Sequence, residues 1–413
     1  MRTKYSLIPA ALLLIVCSHF RAAALTDKLP AYFNGITLDA AQLLTADEEG
    51  LTAEQKEYRR RTRAALEHLP TATIVRVVFD ADTKPGDYSA PLDYLRSLTL
   101  PGGGRKIFIM GELLDSDFLA RYRWDCSVAG CTADESGGSA YHDYKTRVDT
   151  YVSTLDALVD IWEVGNEVNG EWADEGCVKK LKKNGEEDGC FSVKREKDGR
   201  GNVNQSTPRP EITAQKIEYA VNAVKNKPIA LTLIHQPECT TWDTNTMSGW
   251  MKVSKLKSLI DSRAINYLLI SYYEDNCDKG EKTIAPESEL KKVFTKEELK
   301  KMSGAEKKQR RRDIYWTATF NELEGYFSNV ERVGFGEVGY SSEMKTCPGD
   351  VMSFCKNGET TPVDSKLTLL NRYYGMSVNN PRYIGGHFWW TAQEDITYPG
   401  FSSALEGYFN KHK

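Results

Sequence analysis

Ile161-Trp162-Glu163-Val164-Gly165-Asn166-Glu167 and Val333-Gly334-Phe335-Gly336-Glu337-Val338-Gly339-Tyr340 are two apolar runs that each end in or near an acid. Apolar residues at this density suit strands covered on both faces, as in a parallel sheet. A carboxylate there is not a packing choice, because unpaired buried charge is costly. Around these two stretches the β-rich runs extend over Leu158–Gly165 and Arg332–Val338. Six more occur along the chain, at Tyr32–Leu38, Thr73–Asp80, Lys106–Gly111, Ile229–His235, Ile265–Tyr272 and Tyr383–Trp390.

Helical periodicity fills the intervals. Glu54–Leu69, Asp143–Leu155, Ile212–Val224, Trp250–Ile260, Phe320–Val330 and Leu367–Val378 carry apolar residues at helical spacing. Eight strands alternating with helices predict parallel pairing through crossover helices. The expected fold class is therefore α/β, a (β/α)8 TIM barrel with long βα-loop insertions. An open doubly wound sheet is the rival, but no GxGxxG or GxxxxGKS/T pattern follows the first strand. The insertions Glu112–Tyr141, Val168–Glu211 and Asn276–Arg312 follow strands three, four and six. That is the side on which barrel enzymes build their sites. The Lys/Glu-rich stretch within Asn276–Arg312, with Arg310, Arg311 and Arg312, reads as a solvated helix face and not as a nucleic-acid patch.

Residues 1–24 read as a signal peptide. Arg2 and Lys4 precede the apolar stretch Leu7–Cys17, and Ala22-Ala23-Ala24 offers a small-residue cleavage site. Residues 25–413 are then one catalytic barrel domain, expected to be secreted or periplasmic. No later run reaches about 18 apolar residues, so no membrane attachment is expected after cleavage. Nine cysteines become eight without Cys17. Cys126 with Cys131, Cys177 with Cys190, and Cys347 with Cys355 lie close in sequence, while Cys239 and Cys277 remain. Disulfides are the expectation, with connectivity open.

The chain of 413 residues is 40% hydrophobic and 27% charged, an ordinary globular balance. Its 54 basic residues against 58 acidic ones give a formal charge of −4. That is a poor match for nucleic acid or for anionic lipid. Neither the scattered histidines nor the spacing of Asp80, Asp82, Asp87 and Asp93 forms a metal motif, and no cofactor fingerprint appears. No GxSxG elbow supports a serine hydrolase.

Strands four and seven lie well apart around an eight-strand ring, so acids at their ends are placed to flank a substrate bond. Glycoside hydrolysis needs such a pair: one carboxyl protonates the departing oxygen, and the other attacks the anomeric carbon or activates water. Glu167 and Glu337 are the candidates. Glu163 shares strand parity with Glu167, but it lies deeper and fits a buried, paired residue better. Asn166 is placed to bond a sugar hydroxyl beside the reacting carbon. Tyr272 or Tyr273 is placed to bond a carboxylate. Trp389 and Trp390 offer a stacking floor for a pyranose ring, and His235 is a candidate for the pocket wall. Arg76 and Asp80 share parity on strand two, and an Arg near Glu337 would hold it ionised.

Asn166-Glu167 after strand four and Glu337 after strand seven resemble the signature of the clan A retaining glycoside hydrolases, which are (β/α)8 barrels. Arg76, Tyr272 or Tyr273, and Trp389 or Trp390 match that clan's Arg on strand two, aromatic after strand six and Trp after strand eight. The resemblance implies that Glu167 is the acid/base and Glu337 the nucleophile. It implies cleavage of an O-glycosidic, β-linked bond with retention, on a carbohydrate substrate and without a cofactor. Val168 departs from the Pro that many clan members have after the strand-four Glu, and no family within the clan is assigned. A non-catalytic carbohydrate-binding barrel and a different barrel enzyme, such as a lyase or metal-dependent hydrolase, remain the alternatives.

Overall fold

The computed structural model describes residues 28–39, 52–81, 83–125, 142–170, 210–235, 254–274, 283–327, 329–339, 362–390, 392–397 and 399–412. It also describes residue 173 and short two-residue strands between 180 and 204 and between 345 and 355. Parts of the long insertions, the leader and every cysteine except Cys355 lie outside these residues, and with them the expected disulfides.

Eight strands form a closed parallel barrel. They are β1 (Phe33–Leu38), β2 (Thr73–Val78), β3 (Ile107–Glu112), β4 (Ile161–Glu163), β5 (Ile229–Ile234), β6 (Tyr267–Tyr272), β7 (Arg332–Gly339) and β8 (Gly385–Trp390). Each pairs with its neighbours in sequence, and β8 closes the ring on β1. Parallel neighbours need a crossover of a dozen or more residues, which the intervening segments supply. All eight runs read from the sequence are strands of this ring.

The main helices are α1 (Ala53–His68), α2 (Ser89–Ser97), α3 (Tyr144–Leu155), α4 (Pro210–Ala223), α5 (Ser254–Asp261), α6 (Gly304–Tyr326), α7 (Pro362–Tyr374) and α8 (Pro399–Phe409). Their starts are chemically marked. Thr52 and Gln55 form a capping box on α1, and the Asp143 carboxylate accepts from the Lys145 and Thr146 amides of α3. The periodicity missed α2, a short helix with Pro91 in its first turn, where a missing N–H costs nothing. It missed α8 as well. The helix expected over Phe320–Val330 instead runs from Gly304 to Tyr326 and takes in the arginine run. The Lys/Glu-rich stretch ahead of them is mostly exposed, as expected of a solvated face, but the arginines at its end are partly covered. Arg312 is buried, Arg311 donates to the Ala285 carbonyl (2.5 Å), and Arg310 pairs with Asp313. Among the described residues no helix is long and apolar enough to cross a membrane.

Two apolar layers follow. One lies between the barrel and its helices and includes Val77, Leu231, Tyr272, Trp316, Phe335 and Trp389. The other plugs the lower barrel with Phe33, Ile74, Phe108, Ile161, Leu269 and Phe388. Above the plug, toward the C-terminal ends of the strands, the inward side chains turn polar: Arg76, Glu112, Glu163, Thr232, Ser271 and Glu337. The change from plug to polar layer sets the depth of the site.

Candidate active site

Strand alternation alone would send Glu337 outward, because Val333 and Phe335 face the helices. A break in register prevents this. Ile270 pairs with Phe335, but the next residue, Ser271, pairs with Glu337, so Gly336 is an extra residue. A Cβ at Gly336 would lie 2.5 Å from Thr232 Oγ1 and 2.9 Å from Leu269 Cβ. Glycine therefore allows the bulge, and the bulge turns Glu337 into the barrel. On β8, Gly386 has φ +91° and no room for a Cβ, which would fall 2.0 Å from the Phe335 carbonyl oxygen. This passage precedes the inward Phe388.

β4 stops at Glu163, and the chain then leaves the extended conformation. Glu167 has φ 44°, a left-handed value unusual for a residue with a side chain. Strain of this kind costs about 1–3 kcal/mol and persists only where neighbours fix it. Here the Gly170 amide donates to the Glu167 carbonyl at 2.7 Å. The Asn169 side chain bonds the Ile234 backbone at both ends, at 2.9 and 2.7 Å. Asn166 and Glu167 are thereby both brought to the barrel mouth.

Arg76 is the electrostatic centre. Its Nε donates to Glu163 Oε2 at 2.5 Å, and Nη2 to Glu163 Oε1 at 3.3 Å. Nη1 donates to Glu337 Oε2 at 3.0 Å. Nη2 also lies 3.0 Å from Glu112 Oε2. Arg76, Glu112 and Glu163 have no exposed surface. Thr232 donates a further hydrogen bond to Glu163. Glu163 is thus the buried, paired acid, whereas Glu167 keeps 8% of its surface open.

Glu337 receives three donors: Arg76, the Tyr273 hydroxyl, and Asn166 Nδ2 at 3.4 Å. Glu167 is held by the Ser271 hydroxyl and by Ser116 Oγ at 3.4 Å. Burial, then the charges of Glu337 and Glu167, pushes the Tyr273 phenol well above its ordinary value. It therefore stays a donor, and both acids act on it. Burial likewise raises Glu337 to about 7. Arg76 and Tyr273 pull it back, while Asp115 and Glu163 push the same way as burial. The sequence reading gave Arg76 to Glu337 alone. The structure sets it against three acids, and at Glu337 burial outweighs it.

The residue pairs left open by the sequence are separated by facing. Tyr273 points to Glu337, but Tyr272 packs outward against Trp316 and Tyr373 and accepts from Thr283. Trp390 is half-buried, with the Arg76 guanidinium 5.6 Å from its ring centroid. Trp389 is fully buried outside the barrel, bonded to Asp395 (2.8 Å) and packed on Phe401. His235 also faces outward, meeting Tyr315 at 2.9 Å and the edge of Trp316. Burial lowers it to about 4, so it is a neutral core residue. Tyr272, Trp389 and His235 therefore do not line the barrel interior. Asp80 stands past the end of β2 against Tyr88, away from Arg76's bonds, and burial with the nearby Asp39 charge raises it to about 6.

Glu112, Ser116, Thr232 and Ser271 were not anticipated. Glu112 pairs in register with Glu163, and Ser271 with Glu337. Glu112 carried the same signal as the candidate acids, an apolar strand ending on a carboxylate.

No family model and no curated protein matches the sequence. Solved structures similar in outline include a β-glucosidase from Thermotoga maritima in complex with cyclophellitol, at 12% identity and TM-score 0.45 over 89% of each chain. Another is a β-glucosidase mutant derived from a hyperthermophilic tetrameric structure, at 10% identity and TM-score 0.46 over 93% of this chain and 96% of that one. A third is the hyperthermophilic β-glucosidase from Pyrococcus furiosus, at 10% identity and TM-score 0.43 over 94% and 96%. The barrel itself rests on the closed ladder of eight parallel strands.

Proposed function

We propose that this chain is a secreted glycoside hydrolase that cleaves a β-linked O-glycosidic bond by double displacement with retention. The observation that carries the reading is that Glu167 accepts from Ser271, the residue paired in register with Glu337, while Glu337 accepts from the adjacent-strand Tyr273, at the C-terminal end of the barrel. The two carboxyls arrive from β4 and β7 and are anchored by different partners. Glu337, bonded by Arg76, Tyr273 and Asn166, is fixed in orientation and attacks the anomeric carbon. Glu167 protonates the departing oxygen and then takes a proton from the incoming water.

The remaining side chains fit a sugar. Asn166 Oδ1 is buried and has no donor, so it is available to a hydroxyl beside the reacting carbon. Trp390 supplies a partly open aromatic face. Proton NMR of the first product from an aryl β-glycoside tests the reaction: the β-anomer should appear first and then mutarotate. Initial appearance of the α-anomer would refute retention. Sugar binding without turnover would favour the non-catalytic barrel.

A further inference from the structure

Three buried acids surround one guanidinium. Glu163 takes two donors of Arg76 and one from Thr232. Glu337 takes Arg76, Tyr273 and Asn166. Glu112 differs from both. It has no exposed surface, and neither oxygen accepts a hydrogen bond. Among the described residues its cationic neighbour is Arg76, whose Nη2 lies at 3.0 Å and already donates to Glu163. Glu163 lies directly opposite Glu112 across the β3–β4 ladder. The charged groups that act on Glu112 are Arg76 from β2, Glu163 from β4, Glu337 from β7 and Asp115 just past β3, so three of the four are acids. An ionised carboxylate without donors beside two other anions is the arrangement that low-dielectric surroundings penalise most.

We propose that Glu112 is a neutral carboxylic acid in the resting protein, and that its neutrality reserves the Arg76 charge for Glu163 and Glu337. Burial, the largest cause, pushes it the same way against the opposing Arg76 charge, and the neighbouring anions add to burial. Glu112 is thus a positioning residue: it fills the third side of Arg76 without competing for its charge. An apolar site can keep an acid neutral at pH 7. The kinetic part of this inference rests on the glycosidase reading, but the spectroscopic part does not.

The test uses full-length protein labelled with 13C-carboxyl glutamate. Its infrared difference spectrum, wild type minus Glu112→Gln at pH 8, should show the carbonyl stretch of one neutral carboxylic acid. Loss of a carboxylate band instead would overturn the proposal. Glu112→Met gives the same comparison where the amide is not accommodated, since a neutral group should be replaceable by an apolar one. In the pH profile of kcat/KM, Glu112→Gln should move the acid limb by less than about 0.3 unit, a two-fold change. Glu163→Gln, which removes the carboxylate bonded twice by Arg76, should lower that limb. A limb lowered by a unit or more in Glu112→Gln would show a competing anion. Should no glycoside be turned over, the glycosidase reading fails and the infrared result still decides the state of Glu112.

Discussion

Replacing Glu337 by Gln removes its charge and keeps its shape. Burial raises this group from 4.5 to about 7 despite Arg76 and Tyr273. Below pH 4.5 it is protonated in both folded and unfolded chains. Between 4.5 and about 7 the unfolded chain has released the proton while the folded chain retains it, so stability falls as pH rises. Above about 7 the loss is complete. At about 1.36 kcal/mol per pH unit the full effect is about 3 kcal/mol. The side chain is only 7% exposed, so solvent screens little of it. Glu337→Gln lacks this dependence. Unfolding free energies of both proteins from urea titrations at pH 4.5, 6, 7 and 8 should therefore diverge by about 3 kcal/mol in the variant's favour. Parallel curves, or divergence in the wild type's favour, would mean that Arg76 and Tyr273 outweigh burial and that the reasoning is wrong.

Tyr273→Phe removes a donor that stabilises the Glu337 anion; the loss of about 1.5–3 kcal/mol should lower kcat/KM about 10- to 100-fold and move its acid limb to higher pH. Gly336→Ala forces a Cβ against Thr232 and Leu269 and should destabilise the fold by about 1–3 kcal/mol, read as a fall in Tm with loss of activity. Trp389→Ala opens a cavity outside the barrel and should cost about 3–5 kcal/mol of stability with KM unchanged in the folded protein. Trp390→Ala should do the reverse, raising KM about ten-fold or more with a small change in Tm.

The barrel was readable because strands buried on both faces carry dense apolar runs, and most of the eight announced themselves this way. α2 did not, since nine residues with an early proline hold too few turns for a periodic signal. The site was legible in residue type more than in facing. Tyr272 and Tyr273, or Trp389 and Trp390, are adjacent, so one points in and the other out. Choosing between them needs an absolute phase that composition does not supply. His235 went wrong for the same reason. Glu337 is the sharper case: alternation places it with Val333 and Phe335, and only the bulge at Gly336 rotates it inward. The acid cluster around Arg76 depends on Glu112 and Glu163 standing opposite one another, a property of register between strands far apart in sequence.

The central claim is that Glu337 attacks the anomeric carbon. Incubation with a panel of 2-deoxy-2-fluoro glycosides bearing good leaving groups, followed by intact mass and peptide mapping, tests it directly. A single glycosyl adduct on Glu337, absent in Glu337→Gln, is the predicted result. An adduct on Glu167 or Glu163 instead would contradict the assignment.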